Sequence, residues 1–177
     1  MKFWLFFGVV FLIILDLWTK HLAFSEVGLY QERKIFGEWL SVYCITNPGG
    51  VWGAGSQSNI TGFLTIIRLF AVIFLVWFIS RQDVKNQLGA ATLGLLLAGA
   101  VGNLYDNLSA YMPWPGNGEV RDFIKFQVDS PGFIPDKYWL FDPFPIFNVA
   151  DSCISIGFIL LITGLVKVGS GFTPKED

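Results

Sequence analysis

Residues 87–106 read QLGAATLGLLLAGAVGNLYD. No charge occurs before Asp106, and the length matches the roughly 20 residues needed to cross a bilayer. Gly94, Ala98 and Gly102 recur every fourth position, the spacing of a small-residue stripe that lets two helices approach closely. Asn103 and Asp106 lie three apart on the face shared with Gly99 and Gly102. The stretch therefore predicts a membrane helix that packs tightly along most of its length and ends in polar groups.

Three further apolar spans flank it, at about 3–22, 60–80 and 147–168. The composition agrees, with 53% hydrophobic residues, 15% charged residues and mean hydropathy +0.55. Soluble domains carry about 25% charged residues. The expected fold is an all-α membrane protein of four transmembrane helices in one domain, residues 1–177. Lys2 and the apolar run after it read as a retained first helix, because Asp16 and Lys20 follow at once and no small-x-small cleavage pattern appears. An even number of spans puts both termini on one side, together with Lys2, Arg81, Lys85, Lys167 and Lys175. The positive-inside rule makes that side cytoplasmic. Segments 23–59 and 107–146 then face outward. Ile35, Phe36, Trp39, Val42, Tyr43 and Ile45, followed by a Pro-Gly-Gly turn, predict strands in the first of these. The second is rich in Pro, Gly and aromatics, which suits the membrane interface. Together they predict a small, partly β platform on the outer leaflet.

A net charge of −2 excludes a nucleic-acid binder with a basic face. Two cysteines and one histidine are too few for a Cys/His metal centre or a disulfide framework, so no metal and no cofactor are expected. Ser56 and Ser58 have no base near them in sequence, and neither Cys44 nor His21 lies in a nucleophile motif.

Polar residues at membrane depth are costly, and here they gather at the outward helix ends. Asp16 and Lys20 are four apart and able to pair, in a structural or a catalytic role. Asn103 and Asp106 either bridge helices or line a site. Arg68 sits mid-span, near a partner carboxylate or snorkelling. Asn148 and Asp151 are three apart at the head of the last span, where Asp151 suits a helix cap or a first-turn acid as well as chemistry. Asp122 lies in EVRDFIKF between the last two spans. Two close carboxylates share a proton, so one can act as base while the other acts as acid. A pair of aspartates is thus the simplest catalytic set available, although spacing alone does not bring two of them together.

The motifs DLWTK (16–20), NPGGVWG (47–53), GAVGNLYD (99–106), VRDFI (120–124) and FNVADS (147–152) occur in this order on four spans. In this the chain resembles the bacterial lipoprotein signal peptidases, or signal peptidase II. The resemblance implies an intramembrane aspartic endopeptidase of the inner membrane that removes the signal peptide from diacylglyceryl-modified prolipoproteins. It implies a four-helix membrane fold with an extracytoplasmic β-cradle and a short surface helix. Asp122 and Asp151 match the catalytic aspartates, and Asn47, Gly53, Gly99, Asn103, Asp106 and Asn148 match positions that line or support the substrate site. Asp16 and Lys20 match a structural pair. The implied partners are the prolipoprotein, membrane lipid and globomycin-type inhibitors; a monomer suffices. One departure stands out. The family pattern has arginine directly after the aspartate of GNLYD, where this chain has Asn107, and Arg121 is the candidate to supply its role. Two other function classes remain from the residues themselves: a small transporter or channel with a path lined by Asp106, Asp122 and Asp151, and a membrane scaffold that uses carboxylates as helix glue.

Overall fold

The structure is a computed structural model that describes residues 3–48, 58–81, 87–130 and 144–164. The elements run α1 (Phe3–Glu26), β1 (Glu32–Phe36), β2 (Leu40–Asn47), α2 (Ser58–Arg81), α3 (Gln87–Leu108), β3 (Val120–Phe126) and α4 (Val149–Ile162). α1, α2 and α3 are long and apolar enough to cross a membrane. α4 has 14 residues, about 21 Å at 1.5 Å per residue, short of a hydrocarbon core of roughly 30 Å. The end of the span expected at 147–168 lies outside the described residues. Among the described residues the structure is thus a membrane protein of four helices with a small sheet. No short surface helix occurs among them.

α3 is the central helix, for the reason its small residues give. An added Cβ on Gly94 would meet Leu5 of α1 at 2.9 Å, and one on Gly99 would strike the carbonyl of Ala150 and Ile154 of α4. Gly157 of α4 returns the fit, with Leu96 lying 2.8 Å from a Cβ placed there. Lipid is as apolar as leucine, so close backbone approach rather than hydrophobic burial holds such helices together. Leu5, Val9, Ile79, Leu93, Leu97 and Ala98 form the resulting core of α1, α2 and α3. Phe63, Ile66, Ile67, Phe70, Ile73 and Phe74 of α2 stay exposed, the outward face expected toward lipid.

The sheet is antiparallel in the order β1-β2-β3. Its first two strands fall where the β-branched and aromatic residues predict, with Trp39 in the turn between them. The sequence treats 119–126 only as a connecting segment; the structure makes it a strand. Val120, Phe123, Ile124 and Phe126 supply the β-forming residues, and the Pro-Gly-Asn-Gly turn ahead of them starts the run. Pairing of β3 with β2 sets Ile45 opposite Asp122 and Asn47 opposite Val120. Ala23, Cys44 and Phe123 pack together and fasten the sheet to the end of α1. Burial pushes the Cys44 thiol up, which suits a packed apolar role. Gly118 joins β3 to α3: its φ of +84° suits glycine, its N–H donates to Ser109 Oγ at 3.0 Å, and its carbonyl accepts from Asn107 Nδ2 at 2.7 Å.

Candidate active site

Helical spacing stacks Asp16 and Lys20 on one face of α1, where the Nζ and Oδ2 atoms lie 2.8 Å apart. Both side chains are fully buried. The same ammonium reaches Asp106 Oδ2 of α3 at 3.0 Å and donates to Asn103 Oδ1 at 3.0 Å. Asp106 has a second cation, because Arg121 of β3 donates to its Oδ1 from Nε at 2.9 Å and from Nη2 at 2.7 Å. This paired fork fixes both the aspartate and the strand. Asp16 Oδ1 accepts the N–H of Ala150 at 2.8 Å, so α1 also holds the first turn of α4. Two carboxylates are thereby tied to cations at contact distance.

The other two are held differently. Asn148 caps α4 and its side-chain oxygen accepts the N–H of Asp151 at 2.8 Å, while Asp151 Oδ2 accepts the N–H of Asn148 at 3.1 Å. This is a complete capping box. Its amide nitrogen meanwhile donates to Asp122 Oδ1 at 2.7 Å. One asparagine therefore grips both carboxylates. Asn103 donates to Asp151 Oδ1 at 2.7 Å, and Asn47, at the end of β2, donates to Asp122 Oδ2 at 3.1 Å. Asn148, Asn103 and Asp122 are buried, and Asp151 is half-buried. Burial, then the neighbouring charge of Asp151, pushes the Asp122 carboxyl up to about 7, against the pull of the Asn47 and Asn148 amides. A proton on one carboxyl and a charge on the other is the state that suits paired acid–base work.

The chain matches the family model of signal peptidase (SPase) II over residues 8–167. The chain belongs to the signal peptidase II family. Lipoprotein signal peptidases of Staphylococcus aureus strains JH9 and Newman are each 32% identical to it over 167 residues, covering 94% of this chain and 90% of theirs. A bacterial membrane enzyme solved by the in meso method at 1.9 Å resolution superposes with a TM-score of 0.70 at 32% identity, covering 92% of each chain. A second, solved at 2.3 Å, gives 0.66 at 31% identity, covering 98% of this chain and 93% of its own.

Within this signal peptidase II chain, Asp16, Lys20, Asn47, Asn103, Asp106, Asp122, Asn148 and Asp151 come together in one connected network. Gly99 lies one turn below it at the α3–α4 contact. Gly53 lies outside the described residues. Asp151 is both a first-turn acid of α4 and a member of this network. Arg121, the sequence candidate for the cation missing at Asn107, instead binds Asp106. The cation that reaches Asn107 is Arg68 of α2, which donates from Nη1 to Asn107 Oδ1. Spacing within one helix carries no information about a contact 39 positions away. A lone charge in an apolar span was the available signal. The Asn107–Gly118–Ser109 contacts that dock β3 on α3 had no sequence signal beyond the glycine.

Proposed function

We propose that Asp122 and Asp151 are the catalytic pair with which this signal peptidase removes signal peptides from prolipoproteins. The reading is supported chiefly by Asn148, whose side-chain amide donates to Asp122 Oδ1 while its backbone N–H donates to Asp151 Oδ2, with no cation bound to either carboxylate at contact distance among the described residues. Asp151 takes a proton from water as its oxygen attacks the scissile carbonyl carbon. Asp122 gives its proton to the carbonyl oxygen. On collapse of the tetrahedral species, Asp151 returns a proton to the leaving amine and Asp122 recovers one from a hydroxyl of the intermediate. No metal and no covalent intermediate take part. An ion path lined by Asp106, Asp122 and Asp151 is disfavoured, since Lys20 and Arg121 occupy Asp106.

In this reading α4 completes a fourth span, both termini are cytoplasmic, and the pair works at the outer leaflet of the inner membrane. The substrate's diacylglyceryl group stays in lipid while its signal segment enters between helices, and the cut falls before the lipidated cysteine. Asn47, Asn103 and Asn148 hold the carboxylates. Gly99 gives the backbone room where α3 meets α4, Gly53 belongs to the positions that line or support the substrate site, and Asp106, Asp16 and Lys20 brace the frame. The enzyme acts as a monomer and is blocked by globomycin-type cyclic peptides.

The test is cleavage of a diacylglyceryl-modified prolipoprotein by the detergent-purified protein. Asp122→Asn and Asp151→Asn are each expected to abolish cleavage with folding intact. Activity close to wild type in either variant sinks the reading, as does inhibition by a chelator.

A further inference from the structure

α2 carries only two charges, Arg81 in its last turn and Arg68 in the middle. Thr61, Thr65, Arg68 and Val72 recur at helical spacing on the inward stripe, while Ile66, Ile67, Leu69 and Phe70 around Arg68 are exposed. The guanidinium is therefore aimed inward and does not snorkel. It donates to the buried Asn107, whose own amide is fastened to the Gly118 carbonyl. Asn107 lies one turn along α3 from Asn103, whose amide donates to Asp151 Oδ1, so the guanidinium enters the network on the side of Asp151.

The charges of the network show what Arg68 is for. Its carboxylates are Asp16, Asp106, Asp122 and Asp151, and its cations are Lys20, Arg121 and Arg68. Lys20 and Arg121 are committed to Asp16 and Asp106. With one proton shared between Asp122 and Asp151, the network is neutral only if Arg68 is counted. Without it, one negative charge in a low-dielectric site lacks a counterpart.

We propose that Arg68 is a positioning residue of the peptidase reaction, delivering from α2 the positive charge that stabilises Asp151 as the ionised base. Asn107 orients it, taking the guanidinium into a hydrogen bond where the family pattern has a cation of its own. In this chain that cation comes from the neighbouring helix. The inference deepens the catalytic-pair reading and rests on it.

The groups that face the pair are Asp16 and Lys20 from α1, Arg68 from α2, Asp106 from α3, and Arg121 from β3. Only Arg68 is changed in the test. Arg68→Met and Arg68→Gln are assayed with lipid-modified prolipoprotein from pH 4 to 9 beside wild type, Arg68→Lys, Asp122→Asn and Asp151→Asn. Loss of the cation is expected to lower kcat/KM by about tenfold or more, mainly in kcat. It is expected to move the acidic limb of the profile up by about one pH unit, because the base becomes harder to ionise. Arg68→Lys returns the limb most of the way. Arg68→Gln keeps a polar head and guards against a folding defect in Arg68→Met. An unmoved limb in both neutral variants, whether or not activity drops, overturns the role of Arg68 and leaves the pair standing. Retained cleavage in Asp122→Asn or Asp151→Asn overturns the pair itself.

Discussion

Two halves of the network contain the same side chain, aspartate, in two conditions. Asp16 and Asp106 touch Lys20, and Asp106 also accepts two hydrogen bonds from Arg121. Asp122 and Asp151 touch the amides of Asn47, Asn103 and Asn148. A cation at contact distance favours the charged form of a carboxylate. An amide fixes the carboxylate's position and leaves its proton free to move. In the proposed reading this difference separates frame from chemistry.

That contrast is broken most severely by exchanging acid for amide on each side. Asp122→Asn and Asp151→Asn remove one half of the acid–base pair and are expected to cost at least about 10³-fold in kcat, read by prolipoprotein cleavage. On the frame side the loss appears in stability. Lys20→Met leaves Asp16 and Asp106 buried without their shared cation and is expected to cost about 3–5 kcal/mol, measured by unfolding in detergent. A stability unchanged by this variant would mean that the frame is not held by charge.

Asn148→Ser sharpens the comparison, because serine still caps α4 but cannot reach Asp122. The lost bond to a carboxyl is worth about 1.5–3 kcal/mol, so kcat should fall by about 10–100-fold, with a drop of several degrees in the melting temperature. A fall in stability without a fall in kcat would reduce Asn148 to a cap. A smaller effect concerns pH. Asp122 is raised from 3.8 to about 7, so the folded protein keeps a proton that the unfolded chain has released in that interval. Its contribution to stability is greatest at low pH, declines as pH rises from about 4 to about 7, and then levels off. Asp122→Asn should remove that slope, leaving the variant more heat-resistant than wild type above pH 7 in melting experiments. Activity has the same threshold, with kcat/KM falling as pH passes about 7 and the pair loses its shared proton. The smallest expected effect is that of Gly99→Ala, whose methyl group would press on the Ala150 carbonyl and Ile154. Separating α3 from α4 there is expected to cost about 1–3 kcal/mol and to loosen the Asn103–Asp151 bond.

Much of this was legible in the sequence because membrane helices announce themselves by length and apolarity. α1, α2 and α3 fall within a few residues of the spans read from composition, and the α3 stripe faces α1 and α4 as small-residue spacing predicts. The pairing of Asp16 with Lys20 follows from four-residue spacing alone. The third strand was not legible in the same way. Its burial does not alternate, since Asp122 and Phe123 are both buried, so the period of two that marks a half-buried strand is missing. The clasp of Asn148 on Asp122 and the reach of Arg68 to Asn107 link residues 26 and 39 positions apart. Such contacts are products of the fold, and residue type gives only a reason to look for them.

The central claim is that Asp122 and Asp151 share one proton at neutral pH. Infrared difference spectroscopy of the purified protein, titrated from pH 4 to 9, measures this directly through the carbonyl band of a protonated carboxylic acid. The account predicts a band that disappears about pH 7, is absent in Asp122→Asn, and persists in Asp106→Asn. A band unchanged in Asp122→Asn, or one lost only in Asp106→Asn, would place the proton in the frame and contradict the account.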